Sequence, residues 1–239
     1  MKQICLMIAC FLILNNLSAQ TDFAGLKVSP QFPKQKNKIS FNYDASKTSL
    51  SHQKDVDIVV YLMSNNGYKA IEPKLIKKGN TYSGTVILDS NTNCIAFGFS
   101  SGEEKDANAG KGYILPVYNS DNKPVAGYYT SVATLYNGFG EYLFGMTNSN
   151  TTSLEYLETG LNAYPAMQSD ITFLSTYFNT LNGVKKKDAQ PLIEQQLQAI
   201  AQKPNVTEEE YGFISQWYTR FKLKATADSF TTIRKTKYP

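Results

Sequence analysis

The chain has 239 residues, 24 Lys and Arg against 20 Asp and Glu, a formal net charge of +4 and apolar side chains at 42%. That balance argues against a disordered chain and a strongly basic nucleic-acid binder, and the length suits one large domain or two modest ones. One His and three Cys, two of them at Cys5 and Cys10 near the start, leave too few soft ligands for zinc, a disulfide framework or a Cys–His dyad.

In chain order, residues 1–19 read as a secretory signal peptide. Met1-Lys2 is a short basic start, the run from Ile4 to Leu14 carries no charge, and Leu17-Ser18-Ala19 offers a cleavage site. The alternative is acylation of Cys10 after Met7-Ile8-Ala9, which leaves few apolar positions ahead of it. Either route predicts an exported, periplasmic protein. No later segment approaches the ~18 apolar residues of a membrane-spanning helix, so no transmembrane segment is expected.

Residues 20–124 carry a period of two, the mark of strands. Ile39, Phe41 and Tyr43 alternate with polar neighbours, and Tyr82, Val86 and Leu88, then Ile95, Phe97 and Phe99, then Tyr113, Leu115 and Val117 form further stripes. Val56 to Met63 is apolar on both faces, which predicts a central strand, and Asn65-Asn66-Gly67 supplies a hairpin turn. Six or seven short strands predict an immunoglobulin-like β-sandwich. Cys94 sits in an apolar strand pattern and is expected to be buried and inert.

Residues 125–150 read as a connector, helical over 128–136 and an irregular Gly- and Asn-rich loop over 137–150. Beyond it, over 151–239, the period becomes 3.6. Leu154, Leu157 and Leu161, then Ile171, Leu174, Phe178 and Leu181, then Leu192, Ile193, Leu197 and Ile200, then Tyr211, Ile214, Tyr218 and Phe221 each fall on one helical face. A last helix is expected over 223–236. Thr152-x-x-Glu155 and Thr207-x-x-Glu210 have capping-box spacing, where hydroxyl and carboxylate satisfy free amides at a helix start. About five helices in antiparallel hairpins result. Trp217, Tyr218, Ala225, Ala227, Phe230 and Pro239 have a tetratricopeptide (TPR-like) flavour, with the last two spacings off by about one residue.

Motifs of catalysis are missing: there is no Cys-x-x-Cys, Gly-x-Ser-x-Gly, phosphate loop or His-Glu-x-x-His, and no cofactor is implied. His52, the sole imidazole, lies in a polar segment without a nucleophile beside it. Glu103, Glu104, Asp106 and Asn108 place oxygen ligands before Gly110, so this stretch reads as a structural turn or as a weak cation loop. Tyr128, Tyr129, Tyr136, Phe139 and Tyr142 cluster in the connector. They read as packing between the two halves or as a surface for a protein or glycan partner.

Val28-Ser29-Pro30, Phe32-Pro33-Lys34, Ile39-Ser40-Phe41-Asn42-Tyr43, Ile58-Val59-Val60-Tyr61, Tyr82-Ser83-Gly84, Ile95-Ala96-Phe97-Gly98-Phe99 and Asp106-x-Asn108-x-x-x-Gly112-Tyr113 together resemble a bacterial exported family. It is the non-catalytic N-terminal region of TlpA-like, thioredoxin-family thiol–disulfide oxidoreductases, and the ending Phe230-x-x-Ile233-x-x-x-x-Lys237-Tyr238-Pro239 is similar to the helix that precedes their catalytic domain. The chain departs from the family in carrying no thioredoxin domain and no Cys-x-x-Cys, so no catalytic residue transfers. The resemblance implies an accessory, redox-associated region that positions a thioredoxin domain or holds a client protein. The other expectation is a stand-alone envelope module that binds glycan or protein.

Overall fold

The computed structural model describes residues 23–239. The expected signal peptide over residues 1–19, with its acylation alternative at Cys10, lies outside the described residues.

The N-terminal part builds nine strands: β1 (Leu26–Ser29), β2 (Lys38–Asp44), β3 (Asp57–Ser64), β4 (Gly67–Ile71), β5 (Ile76–Lys78), β6 (Thr81–Ile87), β7 (Cys94–Ser101), β8 (Glu104–Asp106) and β9 (Tyr113–Pro116). The count exceeds the expected six or seven because β5 and β8 are three-residue ladders, too short to show a period. Two antiparallel sheets form, one in the order β1-β2-β6-β5, the other β4-β3-β7 with β8 and β9 sharing the far edge of β7.

The alternation sets the core. Ile39, Phe41 and Tyr43 point inward from β2 while Lys38, Ser40 and Asn42 stay exposed. Opposite them, Ile58, Val60 and Leu62 of β3 and Ile95, Phe97 and Phe99 of β7 complete one apolar cluster between the sheets. Tyr43 stacks on Phe99 at 3.8 Å, and Phe41 meets Phe97 edge-on at 5.2 Å. The other face of β3 and β7 is covered too, as the doubly apolar run requires. Tyr61, Met63, Cys94 and Ala96 pack there against Tyr128, Tyr129, Val132, Leu135, Phe144 and Met146.

Those covering side chains come from residues 126–146. Helix α1 (Ala126–Thr134) runs into a π-helical turn over Leu135–Phe139, followed by α2 (Gly140–Phe144). The irregular loop expected over 137–150 is therefore largely helical. Asn137 and Gly138 do break the helix, with Gly138 at φ 113°, but burial of Leu135, Phe144 and Met146 against the sheet overrides the local preference for a loop.

Five helices follow: α3 (Asn150–Ala163), α4 (Ile171–Lys185), α5 (Ala189–Ala201), α6 (Glu208–Arg220) and α7 (Lys224–Lys237). The box expected at Thr152 and Glu155 is displaced, because the cap of α3 lies three residues earlier, at Ser149. Its hydroxyl accepts the Thr152 amide at 3.1 Å. Thr207 and Glu210 do form a reciprocal capping box on α6. Phe178 of α4 sits within 5.5 Å of both Phe213 and Trp217 of α6, and Tyr218 stacks on Phe230 across the α6–α7 hairpin at 5.7 Å. Among the described residues no helix is long and apolar enough to cross a membrane.

Helix α1 belongs to both halves. Its Val132 faces the sheet, whereas Ala133 lies in the core of the helical region. Gly160 of α3 admits Tyr129 so closely that a Cβ there would sit 2.8 Å from the Tyr129 Cβ.

Candidate functional site

The candidate cation loop does not converge. Glu103 and Glu104 are exposed, and Glu104 meets His52 at 3.0 Å. Asp106 turns the other way into the core, where it is 4% exposed and accepts the hydroxyls of Tyr113 at 2.6 Å and Tyr43 at 2.8 Å. Its other oxygen accepts the Asn108 amide at 3.1 Å, and the Asn108 side chain donates to the Gly112 carbonyl at 3.0 Å. The loop is thus a structural turn that clasps the two sheets, since Tyr43 lies on one and Tyr113 on the other. Among the described residues no group of three His, Cys, Asp or Glu side chains is arranged to hold a metal ion.

Burial keeps the clasp protonated where it matters. Desolvation is the main reason that the phenols of Tyr43 and Tyr113 resist ionisation well beyond their usual range, and the adjacent Asp106 carboxylate adds to it. Cys94 is fully buried, and burial pushes its thiol far up, which leaves no thiolate for redox chemistry.

The aromatic cluster divides. Tyr128 and Tyr129 are buried between sheet and helices, and Tyr136 is half-buried on Tyr156 at 6.0 Å. These three are packing residues, so they offer no sugar-stacking face. Tyr142 is 77% exposed and Phe139 half-buried. The structure joins to them a residue that the sequence did not single out: Tyr68, on the exposed edge strand β4, meets Phe139 edge-on at 5.2 Å. Phe139 in turn lies 6.4 Å from Tyr142. Tyr68-Phe139-Tyr142 is a surface ridge to which both halves contribute. The signal for Tyr68 was the Asn65-Asn66-Gly67 turn, which folds it back opposite Met63.

Beside the ridge opens a cleft of about 320 Å³. Ser64, Asn65 and Gly67 of the β3–β4 turn form one wall, Thr130, Ser131 and Thr134 of α1 the second, and Asp170, Thr172 and Thr176 at the start of α4 the third. Half-buried Phe139 supplies apolar surface, and the buried Met63, Met167 and Phe173 back the floor of the cleft. Gly127 fixes the first two walls together: a Cβ there would lie 2.2 Å from the Asn93 side chain, whose Nδ2 donates to Asn65 Oδ1 at 2.7 Å. Asp170 caps α4, its Oδ1 accepting the amides of Thr172 at 2.8 Å and Phe173 at 3.3 Å. Sequence reasoning missed this cleft because its walls come from three distant segments, each of which reads as an ordinary turn or helix start.

No protein-family model, no curated protein and no solved structure matches the chain.

Proposed function

We propose that the chain is an exported, non-catalytic binding module that engages a protein partner through the Tyr68-Phe139-Tyr142 ridge. The ridge is the observation that carries this reading. Three aromatic side chains drawn from both halves, one of them 77% exposed, are the kind of rigid anchors that dominate protein interfaces. Partly buried Phe139 packs against the core below and joins the two more exposed rings.

An immunoglobulin-like description of the N-terminal part is supported by its strand order. Taken in chain order with β8 set aside, β1-β2-β6-β5 faces β4-β3-β7-β9, which corresponds to the A-B-E-D and C′-C-F-G sheets of such domains. A TPR-like description of the last hairpin draws on the α6–α7 packing, where Ser215 donates to the Ala227 carbonyl at 3.0 Å. Together with the signal-peptide pattern, these features favour a periplasmic accessory region of the TlpA-like kind, with an adjoining or separate thioredoxin-domain protein as its partner. The Cys94 burial agrees with a chain that supplies no thiol of its own.

Two measurements test this. The coding sequence downstream of Pro239, or neighbouring genes, should encode a thioredoxin domain with Cys-x-x-Cys; its absence would remove the redox part. A photo-crosslinking side chain placed at Tyr142 should then trap that domain, and a crosslink equally strong from exposed Ile87, on the other sheet, would defeat the ridge as the interface.

A further inference from the structure

The cleft beside the ridge has a chemistry of its own. All but one of its polar side chains are uncharged, and most are hydroxyls. Three of those hydroxyls donate within the protein: Ser64 to the Gly67 carbonyl, Thr134 to the Thr130 carbonyl and Thr176 to the Thr172 carbonyl. That leaves the lone pairs of Thr134 and Thr176 as acceptors, while Ser64 also accepts the Asn66 amide at 3.3 Å. The hydroxyls of Thr130, Ser131 and Thr172 have no hydrogen-bond partner among the described residues, although Ser131 is only 6% exposed. None of the three is a sealed orphan, since Thr92 Oγ1 is the one buried side-chain polar atom without a partner among the described residues, so each opens to the cleft and is free to bond a ligand there.

The single carboxylate does not make the cleft anionic in effect. Asp170 lies on the N-terminus of α4, where the helix dipole and two amide donors offset its charge, while its Oδ2 remains an acceptor. The opening therefore offers a surplus of acceptors, several two-way hydroxyls and the Asn65 amide as a donor, against the apolar side chain of Phe139. Its complement is a neutral molecule rich in hydroxyl donors that also has an apolar face.

We infer that this cleft binds a neutral saccharide of one or two rings. The ring hydroxyls bond to the Thr130, Thr172, Thr134, Thr176 and Asp170 oxygens, and the C–H face lies on Phe139. A volume of about 320 Å³ falls at the small end of ligand pockets, which suits so small a ligand. An uncharged peptide fits less well, because a main-chain unit brings one N–H donor per residue, whereas a pyranose ring presents several hydroxyl donors in a comparable volume. Two of the three walls, the β3–β4 turn and α1, are held together by the Gly127–Asn93–Asn65 contact. This site goes beyond the partner-binding reading; Phe139 belongs to both, whereas Tyr142 does not line the cleft, so substitution of Tyr142 tests the ridge alone.

The test is saturation-transfer NMR on the chain, with a panel of neutral disaccharides, disaccharides that contain a uronic acid, and an uncharged tetrapeptide. At least one neutral disaccharide should bind, more tightly than its acidic counterpart and than the peptide. In the double variant Thr130→Val and Thr172→Val, which replaces two accessible hydroxyls by methyls, the affinity should fall at least about tenfold, in line with the loss of one net hydrogen bond or more. Its melting temperature should not change, whereas Tyr142→Ala should bind the sugar as the parent does. Carbon-13 methyl shifts of Met63 and Met167 should move on addition of the sugar. Binding of the peptide alone, binding of no sugar, or sugar binding that survives the double variant would overturn the proposal.

Discussion

The two halves of this chain are held together in different ways. The sheets are closed by partners far apart in sequence: β2 pairs with β6, and Tyr43 reaches Asp106 across 63 positions. The helices are closed mainly by neighbours, as in the α6–α7 hairpin, where Ser215 bonds to Ala227 and Thr231, and the starts of α3, α4 and α6 are fixed by local side-chain caps. The difference teaches where each half is vulnerable. In the sheets a single buried polar group specifies how distant strands meet, whereas in the helices the polar contributions are small, local and replaceable.

Large apolar truncations test whether the halves are nonetheless one unit. Phe97, between the sheets, and Phe178, in the helical core, are both wholly buried. Phe97→Ala and Phe178→Ala should each cost about 3–5 kcal/mol, the usual range for emptying such a site. Because α1 contributes to both cores, calorimetry should show one transition for the parent and for each variant. If Phe178→Ala lowers a separate helical transition and leaves the sheets untouched, the shared role of α1 is broken.

The Asp106 clasp sharpens the contrast at the next level. Asp106→Ala strands the hydroxyl of Tyr113 inside the core, leaves that of Tyr43 with Thr48 Oγ1 alone at 2.8 Å, and removes the acceptor of the Asn108 amide, where an unsatisfied group costs ~1–3 kcal/mol. Urea unfolding should show a loss of about 2–4 kcal/mol, larger than for any capping substitution in the helices. Adding Tyr113→Phe to Asp106→Ala should recover part of that loss, because one stranded donor is then gone. Failure to recover would assign the effect to loop geometry instead.

At the junction of the halves, Gly127→Ala places a methyl against Asn93. The cost should be about 1–3 kcal/mol, as for overpacking generally. Asn93→Ala in the same chain should relieve most of it, and thermal melting of the two variants decides the matter.

Much of the fold was legible. Ile39, Phe41 and Tyr43 announced β2 because a half-buried strand alternates, and the doubly apolar run at Val56 to Met63 announced a covered central strand. The five C-terminal helices followed from their 3.6 spacing. What escaped was decided by tertiary contact. The segment 137–150 carries loop-forming Gly and Asn, yet Leu135, Phe144 and Met146 draw it onto the sheet as helix. The loop at Asp106 carries oxygen ligands, but nothing in their spacing shows that the carboxylate turns inward to two tyrosines. Of the five connector aromatics, the sequence could not tell the buried Tyr128 and Tyr129 from the exposed Tyr142, because a short and interrupted helix gives no clear face.

The smallest effects belong to the α6 cap, where the local character of the helical half is most exposed to test. Thr207 accepts the Glu210 amide at 3.2 Å, and Glu210 accepts the Thr207 amide and the Lys203 ammonium, each at 2.8 Å. Burial alone would raise the Glu210 carboxyl, but Lys203 and the Thr207 amide together outweigh it and hold the group below its ordinary 4.5. A depressed value in the folded state contributes stability above pH 4.5, and that contribution is lost as the pH falls through the lower folded value. Thr207→Ala should cost about 1 kcal/mol at neutral pH. Glu210→Gln keeps an acceptor for the Thr207 amide and loses only the ion pair, so it should cost less, and its stability should fall less steeply than the parent's between pH 5 and pH 3. Equal slopes for parent and variant would mean that the Lys203–Glu210 pair contributes nothing to α6, and that the hydroxyl of Thr207 alone fixes where the helix begins.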